Sequence, residues 1–298
     1  GSVASSLFIA MEYVEGESLR ALIRRIRPSL PLCARIVADA AAGLHHAHQL
    51  CDSEGNLLNV VHRDVSPQNI LISYEGMVKM VDFGVARARG NLHQTSAGQI
   101  KGKFAYMAPE QVDGKVDQRT DVFALGIVLY ETTTNHRLFR GVSDADTISK
   151  VRKQEIPRPS LLRSGYPAML EKIVIRALEP DPERRYQTAE ELGDELEDFL
   201  LKTGNFVTPR HLRKVMKRVF SDRIAMKQDL LARCEEASGI LQAPVGLSSG
   251  PSQALKGAFS QADLKIADRR RIMRRILVAM GSAALTLLIA ALLLYLYS

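Results

Sequence analysis

The chain has 298 residues, enough for one or two domains, and its 46% hydrophobic and 24% charged content is that of an ordinary globular protein. Its net charge of +7 is unevenly placed: residues 1–201 hold 24 Lys/Arg against 27 Asp/Glu, and residues 202–298 hold 16 against 6. A nucleic-acid footprint would put basic charge on the folded part too, so nucleic acid is excluded as a partner; three scattered cysteines, Cys33, Cys51 and Cys234, exclude a disulfide framework or a Cys-based zinc site and fit a reducing compartment.

Gly1 in place of an initiator Met suggests a piece of a longer protein. Residues 7–11 are a short apolar run, expected as a buried strand. Residues 12–16 break it, and Glu17-Ser18-Leu19 opens a helix that stops near Pro28. Residues 32–50 are Ala-rich, with apolar positions at 32, 36, 37, 40, 44 and 47, the spacing of a helix with one buried face. His45, His46 and His48 close it; without a Cys or carboxylate cluster they are expected as structural cations near a helix C-terminus, not metal ligands. A polar connection over 52–59 leads through Val60-Val61 into His62-Arg63-Asp64-Val65-Ser66-Pro67-Gln68-Asn69. Residues 69–72 and 78–81 read as two short strands about a Glu75-Gly76 turn, followed by Asp82-Phe83-Gly84. Residues 85–107 are a long polar stretch of the length that functional loops have, and Ala108-Pro109-Glu110 ends it.

Residues 121–131 form an apolar helix with little polar surface, expected to be buried. Pro180-Asp181-Pro182-Glu183-Arg184-Arg185-Tyr186 follows later. Beyond Lys202, Leu212, Val215, Met216, Val219 and Phe220 share one helical face, with Arg213, Lys214, Lys217 and Arg218 on the other. Such a helix either packs on the preceding domain or lies on a membrane surface. Residues 237–262 have linker composition. Arg269-Arg270-Arg271-Ile272-Met273-Arg274-Arg275 then precedes residues 276–297, which carry no charge. As a helix these would span roughly 33 Å, enough for a bilayer core. Tyr295 and Tyr297 sit where an interfacial belt belongs, and the arginines before the span place the preceding chain in the cytoplasm and against anionic lipid.

The loop at 62–69, the triplet at 82–84 and the triplet at 108–110, in this order and spacing, resemble the catalytic loop, metal-binding triplet and activation-segment end of protein kinases. The likeness spans about residues 7–200 and is similar in layout to bacterial membrane-anchored Ser/Thr kinases. It implies a predominantly helical α+β fold: the kinase C-lobe with hinge and last N-lobe strand over residues 1–203. To this the chain adds a basic helical segment (204–236), a linker and juxtamembrane stretch (237–275) and a C-terminal transmembrane helix (276–297). It implies Met11 at the gatekeeper position, the backbones of Glu12 and Val14 on the adenine edge of ATP, and Leu71 under the adenine. Asp64 would accept the proton of the substrate hydroxyl, with Asn69 and Asp82 as Mg²⁺ ligands. Asp121 would bond the catalytic-loop backbone, and Arg185 would pair with Glu110. Arg63 would take a phosphate on Thr95 or Ser96. Protein substrates and a dimerisation or activation partner are implied as well.

Two departures bear on activity. Ser66 stands where Ser/Thr kinases carry a lysine that touches the γ-phosphate, and Lys103 stands where they carry a threonine, so Lys103 is the candidate to supply the missing ammonium. The family's Gly-rich loop, strand lysine and helix glutamate belong upstream of Leu7, where this chain has six residues. The chain alone is therefore expected to bind ATP weakly and to have little kinase activity, and a non-catalytic membrane-tethered scaffold is the competing function.

Overall fold

The computed structural model describes residues 2–3, 6–7, 11–83 and 103–240, with side chains for 11–83 and 104–234. Two short strands, β1 (Ser2–Val3) and β2 (Ser6–Leu7), pair antiparallel. Of the buried strand expected over 7–11, Leu7 ends β2 and Met11 is 67% exposed in an irregular segment, while residues 8–10 lie outside the described residues.

A second sheet is antiparallel in the order β3 (Gly16–Ser18), β4 (Ile70–Ser73), β5 (Val78–Met80). Ser18 faces Leu71 across it, and Ile70 faces Met80. Ile70 and Ile72 are buried on one face, so Leu71, two-sided alternation requiring it, turns to the other. The β4–β5 turn contains Gly76 at φ +88, the left-handed region that favours glycine.

Ser18 starts the first helix, α1 (Leu19–Arg25), by accepting the Ala21 amide at 3.2 Å. α2 (Leu30–His48) has Pro31 in its first turn, where the missing N–H costs nothing. After a 3-10 turn at Lys103–Tyr106 come α3 (Pro109–Val112), α4 (Gln118–Thr134), α5 (Asp144–Lys153), α6 (Pro159–Leu162), α7 (Ala168–Ala177) and α8 (Ala189–Lys202). α4 is the axis of the core: all its residues from Thr120 to Thr134 are buried, as uniform apolarity demands. Asn135 ends it in the left-handed region, its amide bonded to the Glu131 carbonyl. α2 and α7 pack against α4, and α8 against α2.

The last helices are α9 (Pro209–Val219) and α10 (Ser221–Ile240). α9 belongs to the domain and does not lie apart from it: Leu212, Met216 and Phe220 are fully buried in the shared core. Three such side chains bring about 1.5–3 kcal/mol each in the core, whereas exposed ion pairs bring about 0.2–1, so burial decides where α9 sits. Helix continues to Ile240, and the residues of linker composition from 241 on lie outside the described residues; propagation adds a hydrogen bond per residue and tolerates small side chains. Among the described residues no helix is long and apolar enough to cross a membrane. The span expected at 276–297 lies outside the described residues, as do Gly84, Thr95 and Ser96.

Candidate active site

The loop from His62 to Asn69 is held from below by Asp121 in the first turn of α4. One carboxylate oxygen accepts the His62 amide at 2.7 Å and the other the Arg63 amide at 2.9 Å. The first oxygen also accepts from His48 Nε2 at 2.8 Å, and the His48 and Asp121 side chains are each only 1% exposed. The expected contact of Asp121 with the loop is therefore present. His48 is a partner that the sequence did not reveal as one. Its signal was its phase, one helical turn beyond Leu44 on the buried face of α2.

Inside the loop, the buried His62 ring sets the local geometry. Its Nδ1 accepts the Asp64 amide at 3.3 Å and its Nε2 donates to the Val81 carbonyl at 3.0 Å, the arrangement of a neutral imidazole with the proton on Nε2. The same ring lies 4.5 Å from that of Phe83, centroid to centroid. Arg63 and Asp82 both adopt left-handed backbone conformations, at φ 63 and φ 57. Such conformations cost a non-glycine residue free energy and cluster where function over-determines the backbone.

Asn69 Nδ2 donates to the Asp64 carbonyl at 2.7 Å and to its carboxylate at 3.3 Å. With both donor bonds turned to Asp64, the Asn69 amide oxygen is left as an acceptor. The Val81 amide bonds to the Asn69 carbonyl at 3.0 Å, which brings the exposed Asp82 next to Asn69. Two oxygen donors from the protein fit Mg²⁺, which keeps waters and phosphate oxygens as its other ligands. Among the described residues no cluster of three His, Cys, Asp or Glu competes as a site for a metal of higher protein coordination. Ser66 is buried at 6% exposure and brings no charge. Lys103 opens the 3-10 turn, but its side chain lies outside the described residues.

Of the residues expected at the adenine, Met11, Glu12 and Val14 lie in the irregular segment before β3, and Leu71 lies in β4, across from Ser18 of β3. Glu12 forms an ion pair with Lys79 of β5 at 2.5 Å, which ties that segment to the far strand of the sheet. The Arg20 amide bonds to the Pro67 carbonyl at 2.7 Å, joining α1 to the 62–69 loop.

Two buried clusters fix the elements that follow the 3-10 turn. Arg185 meets Glu110 in two bonds, 2.8 and 3.2 Å, with its side chain fully buried, as the resemblance implied. Gln111 Nε2 donates to the Arg63 carbonyl at 3.0 Å, tying α3 to the loop. The second cluster was not foreseen: the buried Glu131 accepts from the Tyr106 hydroxyl at 2.8 Å, Arg137 at 2.9 Å and the Leu138 amide at 3.1 Å. Burial pushes the Glu131 carboxyl up to about 7, against the opposing pull of the Tyr106 hydroxyl, the Leu138 amide and the Arg20 charge. Arg137 also draws it toward the charged form.

Residues 2–196 match the family described as Protein kinase domain. The Tyrosine-protein kinase MasK of Myxococcus xanthus is 44% identical over 206 residues, covering 67% of this chain and 32% of that protein. The Serine/threonine-protein kinase PknB of Mycobacterium tuberculosis is 41% identical over 196 residues, covering 63% of this chain and 30% of that protein. The Serine/threonine-protein kinase PknL of the same species is 38% identical over 192 residues, covering 64% and 46%. The chain thus spans about a third to a half of the length of the relatives it matches.

Proposed function

Because the chain belongs to the protein kinase family, we propose that it transfers the γ-phosphate of ATP to hydroxyl groups of protein substrates, with serine and threonine as acceptors. What supports the proposal is that Asn69 is bonded to Asp64 and that the amide of Val81, the residue before Asp82, bonds to the Asn69 carbonyl. Asp64 takes the role of the group that orients the hydroxyl and accepts its proton. Asn69 and Asp82 hold Mg²⁺, which would neutralise phosphate charge when bound. Met11 borders the nucleotide, Glu12 and Val14 offer backbone groups to the adenine edge, and Leu71 supplies an apolar floor. Lys103 supplies the ammonium absent at Ser66. Arg63 takes a phosphate from Thr95 or Ser96.

Because the chain covers only part of its relatives' length, the activity is proposed for the full-length protein, and the isolated 298-residue chain is the weaker catalyst. The basic run at 269–275 and the uncharged residues 276–297 support a single membrane span with the kinase domain in the cytoplasm. Protease digestion of sealed vesicles tests that topology; protection of the kinase domain in inside-out vesicles would contradict it.

A second acceptor class has one observation in its favour, the 44% identity to a protein named as a tyrosine kinase. Phosphoamino-acid analysis of the autophosphorylated full-length protein separates the two. Phosphoserine and phosphothreonine are expected, and phosphotyrosine alone would overturn the acceptor assignment.

A further inference from the structure

The region matched by the kinase family ends at residue 196, yet the described fold continues through two helices that return to the nucleotide side. α9 lies over the β4–β5 turn. Arg213 and Lys217 both bind Glu75, at 3.0 and 2.7 Å. The turn admits α9 only because residue 76 is glycine: a Cβ there would stand 2.1 Å from the Pro209 carbonyl oxygen. The start of α10 is then pinned to α1 by Arg25, which binds the Asp222 carboxylate through two bonds of 2.6 and 2.7 Å and stacks 4.7 Å from the Phe220 ring centre.

From that fixed start α10 runs along the segment assigned to the adenine edge. Arg223 binds Glu17 of β3 at 2.5 Å. One turn on, Lys227 donates to the Tyr13 hydroxyl and to Glu15, each at 2.9 Å, with its ammonium 4.5 Å from the Tyr13 ring centre. Tyr13 lies between Glu12 and Val14, and the Glu15 carbonyl accepts the Tyr74 amide at the end of β4. The contacted residues fall within one five-residue stretch, 13–17, and both α10 cations sit on the same helical face, four residues apart.

We propose that α10 is a strap for the nucleotide cleft, and that Arg223 and Lys227 are positioning residues that hold Tyr13, Glu15 and Glu17 in the conformation that receives adenine. The apolar anchors of α9 carry the helix pair. The two cations add little to global stability, because exposed pairs contribute little, and their effect is local. They suppress opening of a segment that has no helix of its own and three residues of strand. The assignment of adenine to this segment rests on the proposed kinase function; the mechanical restraint does not.

Amide hydrogen exchange over residues 11–18 in the full-length protein tests the restraint, and the affinity for Mg·ADP tests its consequence. The variant Arg223→Glu/Lys227→Glu is expected to exchange roughly three- to tenfold faster across 11–18 and to weaken Mg·ADP by a similar factor, with the melting temperature nearly unchanged. Adding Glu15→Lys and Glu17→Lys restores the pairs with their signs reversed and should return both readouts toward wild type. Unchanged exchange in the double variant, faster exchange that the reversal fails to restore, or faster exchange with Mg·ADP affinity unchanged would each overturn the strap. If the wild-type protein itself binds no Mg·ADP, the kinase proposal fails, and the exchange at 11–18 alone decides the restraint.

Discussion

His48 and Asp121 share a hydrogen bond of 2.8 Å across 73 residues of sequence, with both side chains almost fully buried. Asp121 holds the 62–69 loop through two amides, and His48 holds Asp121. Replacing His48 by Ala removes one donor and leaves the carboxylate with two. A loss of about 1–3 kcal/mol is expected in urea unfolding. Asp121→Ala orphans two buried amides and the imidazole together, so it should be the more damaging. Equal or reversed losses would contradict this hierarchy.

The Arg185–Glu110 pair is the second anchor. Glu110→Gln leaves a fully buried guanidinium without its charge partner, for which about 3–5 kcal/mol is expected. Glu110→Gln combined with Arg185→Met removes the stranded charge and should recover part of that loss. A double variant as unstable as the sum of the two single variants would show the pair to be uncoupled.

Glu131 predicts a pH dependence. A carboxyl raised by burial from 4.5 to about 7 favours the fold most below its unfolded value, and that contribution is lost as pH climbs from about 4.5 to about 7. Arg137 at 2.9 Å works in the opposite sense. Glu131→Gln should therefore flatten the stability profile across this window, and Arg137→Gln should steepen it. Parallel profiles for wild type and Glu131→Gln would remove Glu131 from the account.

Gly76→Ala tests the seat of α9. The added methyl meets the Pro209 carbonyl and the backbone is held at φ +88, so a loss of about 1–3 kcal/mol is expected, with faster exchange across residues 209–220. An alanine variant as stable as wild type would mean that α9 can shift without penalty.

If Lys103 supplies the ammonium that Ser66 lacks, Lys103→Ala lowers turnover about 10²-fold in the full-length protein. Ser66→Lys in that background restores part of it. Normal turnover of the single variant would end the assignment.

Much of this architecture is legible in the amino-acid sequence. The helical period over 32–50, the uniform apolarity of 121–131 and the strands about Glu75-Gly76 each state a local rule, and each element is present within a few residues. The Glu110–Arg185 and Asp121–loop contacts, separated by 75 and about 59 residues, were legible only through family resemblance. His48 and Glu131 were missed because their partners come from other elements, and a buried polar side chain announces itself only when its acceptor is known. The fate of the basic helix was open for a related reason: periodicity shows that Leu212, Met216 and Phe220 share a face, but not what covers it. Two of its cations, Arg213 and Lys217, are engaged by Glu75 on a turn far upstream, while Glu17 and Glu15 engage Arg223 and Lys227 of α10.

Asp64, bonded to Asn69 and His62, is the residue on which the proposed phosphotransfer depends. The most direct test is transfer of labelled γ-phosphate from ATP to a protein acceptor by the full-length protein and by its Asp64→Asn variant, with Mg·ADP affinity measured on both. Transfer by the wild type, a fall of about 10²- to 10⁴-fold in the variant and unchanged affinity are the predicted result. No transfer by the wild type, or equal transfer by both, would contradict it.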